Sequence, residues 1–184
     1  MIIAHLPAGY LMVKALSGKF RPDQSAGLWF CGLAASVLPD IDILLFYLEG
    51  GVRNHRYYPT HWPLFWLGLF AVSVLALLIL KKKEAIVYPV VALAGVALHL
   101  SLDLIAGPVF YAAPFSYERI QLIRVPALYS WWVMNYVRHW IFQVELMIWG
   151  TAVLAFGLSQ QDSNWSGLKF VTERLRSKRT RPGQ

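Results

Sequence analysis

Residues 62–80 (WPLFWLGLFAVSVLALLIL) run for nineteen positions without a charge, until Lys81, Lys82 and Lys83 end the run. At about 1.5 Å per residue a helix of that length reaches roughly 28 Å, close to the hydrocarbon thickness of a bilayer. Backbone exposed to lipid must pair within itself, so a chain with such a segment is confined to helices wherever it meets hydrocarbon. Three further stretches, residues 24–48, 85–106 and 129–158, have spanning length, and each carries charged positions. The hydrophobic share of 57% and mean hydropathy of +0.47 exceed what one soluble core needs. The expected fold is an all-α, polytopic membrane bundle with four to five membrane segments.

The first sixteen residues (MIIAHLPAGYLMVKAL) place Lys14 after the apolar run, with Lys19 and Arg21 beyond. That order is the reverse of a signal peptide, and a short, re-entrant first helix is expected instead. Cys31 is the single cysteine, which excludes an intramolecular disulfide. From Ser159 the chain turns polar and then basic, with Leu168, Val171 and Leu175 at helical spacing beneath Lys169, Arg174, Arg176, Lys178, Arg179 and Arg181. That pattern suits a helix lying on an anionic leaflet. Residues 1–158 are therefore expected to form a membrane domain and residues 159–184 a basic cytoplasmic tail. Beside four or five spans, nucleic-acid binding is the weaker reading of those charges.

Basic residues orient the bundle. With the tail in the cytoplasm, alternation puts Lys14, Lys19, Arg21 and Lys81 to Lys83 on the same side, which accounts for twelve of the seventeen basic residues. Arg53, Arg56, Arg119, Arg124 and Arg138 are left at the outer face. The same map gathers the ionisable residues of the apolar segments. Asp40 and Asp42 lie near the outer end of the second segment, where Pro39 is expected to break the helix and restart it at the aspartates. His99 and Asp103, four apart and so neighbours on one helix face, lie toward the outer end of the fourth. His55 and His61 belong to the loop between, and His5 to the outer end of the first.

Seven potential ligands at one membrane face predict a metal site. Buried carboxylates near span ends need a compensating charge, and a divalent cation supplies one. Mixed histidine and aspartate suit zinc, with manganese or iron as alternatives, and the ligand number allows one ion or two. The competing reading is local: His99 and Asp103 paired within their helix, Asp40 or Asp42 capping a helix start.

The set His5, LPDID at 38–42, NHRYYPTHW at 54–62, and HLSLD at 99–103 followed by a Gly-Pro turn and APFS at 113–116 resembles the YdjM-like family of bacterial inner-membrane proteins, described as metal-dependent hydrolases. The resemblance covers about residues 1–120 and implies a helical protein of the inner membrane with a hydrolytic metal centre. More remotely, an Asp, a His and a His-xxx-Asp helix resemble the zinc-dependent phospholipase C and single-strand nuclease superfamily. That likeness implies Asp40, His61, His99 and Asp103 as ligands. The superfamily's later His-xxx-Glu helix has no match here, because His139 and Glu145 are six apart.

The chemistry expected is metal-assisted hydrolysis of a lipid-like or amphiphilic substrate, a phosphoester in the first instance. Asp42 is the expected base, and Arg56 the expected partner of phosphate oxygens or, equally, of a lipid headgroup. Residues 107–128 are too interrupted by Pro108, Pro114 and Pro126 to span. Their aromatics Phe110, Tyr111, Phe115 and Tyr117 are expected at the membrane interface. Two other functions use the same residue types: a scaffold whose metal ties helix ends together, and a metal or proton transporter. A transporter would hold its site near the midplane between repeated halves, and no repeat is visible. Membrane lipids are the expected partners, and the oligomeric state is open.

Overall fold

A computed structural model describes the backbone of residues 1–50 and 55–179, and side chains within that range up to residue 160. Arg53 and the side chains of the expected basic tail beyond Gln160 lie outside the described residues. The described chain is helical: α1 (His5–Ser17), α2 (Ser25–Val37), α3 (Asp42–Leu48), α4 (Pro63–Ile79), α5 (Val87–Ala106), α6 (Trp132–Val137) and α7 (Trp140–Arg179). Short 3-10 turns occupy Leu38–Ile41, His55–Tyr57, Pro59–His61 and Lys83–Ile86. Two compact units divide it, Met1–Trp149 and Gly150–Gln184.

Among the described residues, three helical stretches are long and apolar enough to cross a membrane: Ser25–Leu48, Lys83–Ala106 and Trp140–Gln160. The charge-free run yields α4, which at 17 residues is shorter than these, and none of its residues is buried. Pro63 opens it at a position where the missing amide hydrogen costs nothing. The last apolar stretch begins later than residue 129. There α6 ends at Val137, and the chain turns through Arg138 and His139 before α7 starts at Trp140.

Small residues bring the first helices close. A Cβ added at Gly95 on α5 would fall 2.9 Å from the Gly32 carbonyl oxygen of α2, and one at Gly9 on α1 would fall 2.1 Å from Ser36 Oγ. Lipid supplies no hydrophobic drive between helices, so such close backbone contact is what holds them together. A second cluster seats the start of α7, with Ile141 fully buried against Ala4, Ala8 and Leu102. Antiparallel packing collects one set of helix termini at each end. At one end are the starts of α1 and α4 with the ends of α2 and α5, and at the other Arg21 Nη1 meets Glu84 at 2.5 Å.

Candidate metal centre

The break at Pro39 brings the two aspartates into play separately. α2 stops at Val37, Leu38–Ile41 tightens into a 3-10 turn with Pro39 near its start, and α3 begins at Asp42. The tighter turn advances about 120° per residue, so Asp40 and Asp42 point in different directions. Asp40 faces α1 and α5. Asp42, fully buried, faces the segment 55–61.

Around Asp40 four donors converge. His61 Nε2 lies 3.6 Å from Asp40 Oδ1 and 3.4 Å from Asp103 Oδ2, and His99 Nε2 lies 3.6 Å and 3.8 Å from the same two atoms. Asp40, His61, His99 and Asp103 thus offer one ligand atom each within 4.8 Å of one another. A zinc tetrahedron with bonds of about 2.0–2.1 Å has edges of roughly 3.3–3.4 Å, near the spacing found. An octahedral set of the same bond length has edges of roughly 2.9 Å and fits less well.

The hydrogen bonding around these donors is unfinished in a particular way. Nε2 of His5, His61 and His99 and Oδ2 of Asp103 are buried without a hydrogen-bond partner. Their opposite atoms are all engaged. His99 Nδ1 donates to the Ser36 carbonyl at 2.9 Å, which leaves the lone pair on Nε2. His61 Nδ1 donates to Asp42 Oδ2 at 2.6 Å. Asp103 Oδ1 is occupied by the Met1 amino group at 2.5 Å and by Arg56 Nη2 at 3.0 Å. Each side chain is therefore anchored on one edge and turns a bare atom to the common centre, the pattern by which outer partners orient metal ligands. The residues fit a divalent cation.

Asp42 sits one step outside. Its carboxylate accepts from His61, from His55 Nδ1 at 3.1 Å and from Thr60 Oγ1 at 2.5 Å. Asp42, His55 and His61 also form a second group within ligand distance, sharing His61 with the first. Trp66 Nε1 fixes this turn by donating to the Thr60 carbonyl at 2.7 Å. Burial alone would lower the His61 pKa, but the carboxylates of Asp103, Asp40 and Asp42 outweigh it and raise the imidazole to about 10. His5 closes the remaining side. Its ring stacks on His99 with centroids 3.8 Å apart, and its two nitrogens reach Asp40 and Asp103, each at 3.3 Å.

Every ligand named from the sequence is thus at this end of the bundle, and Arg56 joins them through Asp103. His139 does not: half-buried, it lies tilted against Trp140 and accepts a 3.4 Å hydrogen bond from the Ile141 amide. Glu145 is fully buried but serves the chain itself, accepting from the amides of Ile2 and Ile3 at 2.7 Å and from the Tyr136 hydroxyl. Phe110, expected at the interface, is instead buried at 1% exposure against Tyr57, whereas Phe115 is exposed. Beside the donors opens a cavity of about 270 Å³ lined by Ile2, Arg56, Val125, Trp132, Asn135 and Tyr136 among others. The partners Ser36, Thr60 and Glu145 had carried no expectation. Only Thr60, adjacent to His61 in the PTHW string, had a signal nearby.

Comparison with known proteins gives one match. The family described as YdjM inner membrane protein matches residues 1–165. No curated protein and no solved structure matches the chain.

Proposed function

The chain belongs to the YdjM inner membrane protein family, and from that premise we propose that it is a membrane-embedded metal-dependent hydrolase acting on an amphiphilic phosphoester. One observation carries the reading: Asp40, His61, His99 and Asp103 offer four ligand atoms within 4.8 Å of one another, and Nε2 of His61 and His99 and Oδ2 of Asp103 are buried without a hydrogen-bond partner. Asp40, His61, His99 and Asp103 would hold the ion, with zinc favoured by donor type and spacing. When bound, a divalent cation lowers the pKa of a coordinated water toward neutrality and polarises the ester under attack.

The chain's own residues do the rest. Ser36 and Asp42 hold His99 and His61 in orientation through their Nδ1 atoms. The base expected at Asp42 is reassigned here, because its carboxylate is already taken by Thr60, His55 and His61. His5, with an unpartnered Nε2 beside Asp103, is the side chain placed to hold a proton at the centre. Burial strengthens each of these interactions by excluding competing water. The excess of Lys and Arg at the opposite end supports a centre on the periplasmic side of the inner membrane and a cytoplasmic C-terminus.

The test is to purify the full chain in a lipid environment, determine its metal content, and assay a panel of phospholipids and isoprenoid phosphates with and without chelator. Chelator-sensitive turnover of at least one phosphoester is expected. Bound metal with no turnover across the panel, and with thermal stability as the only quantity that chelation changes, would sink the hydrolase in favour of a scaffold. A fused reporter active only outside the cytoplasm should work after Gly50 and fail after Lys83, and the reverse pattern would move the centre to the other face.

A further inference from the structure

The cavity beside the donors has a divided character. Its walls are mainly apolar, from Ile2, Ala106, Val125, Ala127 and Trp132. Of its polar residues, Asn135 is committed elsewhere: its Oδ1 accepts from the Tyr129 amide at 2.6 Å and its Nδ2 donates to the Tyr129 carbonyl at 2.8 Å. The Tyr136 hydroxyl is likewise given to Glu145. Arg56 is different. Its side chain lines the cavity while its Nη2 stands 3.0 Å from Asp103, so one guanidinium faces both the cavity and a donor of the candidate metal centre.

That placement depends on a residue with no side chain. A Cβ added at Gly107 would fall 1.1 Å from Arg56 Nη1 and 2.2 Å from its Cζ. An alanine there would displace the guanidinium, so Arg56 holds this place across a glycine. Size then limits the occupant. A volume of about 270 Å³ suits a compact group rather than a whole lipid.

We propose that this cavity is a subsite for a phosphate monoester: Arg56 pairs with the phosphate oxygens next to the metal centre, and the apolar walls receive about the first six carbons of the attached chain. The assignment rests on the hydrolase reading for its choice of phosphate. Guanidinium suits that group because its planar donors match two oxygens at once. Any longer chain leaves past Ala127 and Trp132, both exposed, toward lipid.

The probe is hexyl phosphate, titrated calorimetrically into the zinc-loaded full chain in lipid nanodiscs, with inorganic phosphate alongside. Hexyl phosphate should bind one per chain and at least about tenfold more tightly than inorganic phosphate, since each methylene taken out of water favours binding. Gly107→Ala and Arg56→Gln should each weaken it at least about tenfold, the size expected for a lost charge-assisted pair. Ala127→Trp, which fills the mouth from an exposed position, should weaken hexyl phosphate but leave inorganic phosphate unchanged. Metal content should be the same in Ala127→Trp as in the parent. Equal binding of the two phosphates, or hexyl phosphate binding indifferent to both Gly107→Ala and Ala127→Trp, overturns the subsite. The two readings fail separately. Bound metal with no hexyl phosphate binding removes the subsite alone, whereas Arg56-dependent binding in a chain that takes up no metal keeps the subsite and removes the hydrolase.

Discussion

Two buried carboxylate sites lie within the same unit, and they are finished to different degrees. Glu145 is met by two backbone amides and a tyrosine hydroxyl. At Asp40 and Asp103 the nearest imidazoles stop at 3.3–3.8 Å and leave Nε2 atoms bare. A buried acceptor with its donors in place is cement between helices. At the second site Asp103 Oδ1 is met by the Met1 amino group and Arg56, while Asp103 Oδ2 and the facing Nε2 atoms have no hydrogen-bond partner, and each such buried group forfeits about 1–3 kcal/mol unless something fills the space between them. Neighbouring carboxylates in a membrane protein can thus be told apart by what remains unpaired around them.

That distinction is broken or sharpened by substitution. The largest effect is expected at the bare ring: Asp103→Ala or His99→Ala should cut the metal retained on purification to about one-tenth of the parent or less, read by elemental analysis. Retention of full metal by both variants would erase the contrast. Asp42→Asn acts one bond further out, where loss of the acceptor for His61 Nδ1 should weaken metal binding by about 10–100-fold. Protons compete for the same atoms. With its pKa near 10 in the metal-free centre, His61 carries a proton throughout the neutral range that the ion must displace. Affinity should therefore rise from pH 6 to pH 8 by about tenfold per unit for each proton released, and a flat profile would remove His61 from the ligands. At the finished site Glu145→Gln should leave metal content unchanged while lowering unfolding free energy by about 1–3 kcal/mol, since the new amide NH₂ opposes a backbone N–H. The smallest effect belongs to His139→Ala, which should alter neither quantity measurably.

The sequence carried the helical class and the end of the bundle where the ligands meet, because lipid allows few folds and because charges in apolar runs stand out. His99 and Asp103 were readable from spacing on one helix. Asp40 and Asp42 were readable as a pair but not in their separate attachments, which depend on how far the turn at Pro39 rotates. Glu145 was not readable, since its partners are backbone amides more than 140 residues away, which no side-chain pattern reports. Arg56 was placed at the outer face, yet its contact with Asp103 and its path across Gly107 join segments that are distant in sequence. The start of the last span was misjudged because Arg138 and His139 interrupt the apolar run only briefly, while the backbone turns there completely.

The close approach at Gly95 works as a calliper for ionic radius. His99 stands one turn above it and Asp103 two turns, while across the contact Gly32 and Ser36 lead up to Asp40 in the same number of steps. An alanine there would have to push α2 and α5 apart by tenths of an ångström, and the donors above would separate with them. Such a change is comparable to the gap between zinc–oxygen bonds of about 2.0–2.2 Å and calcium–oxygen bonds of about 2.3–2.6 Å. The size of any ion held at this end would thus be set partly by a position that bears no ligand atom at all.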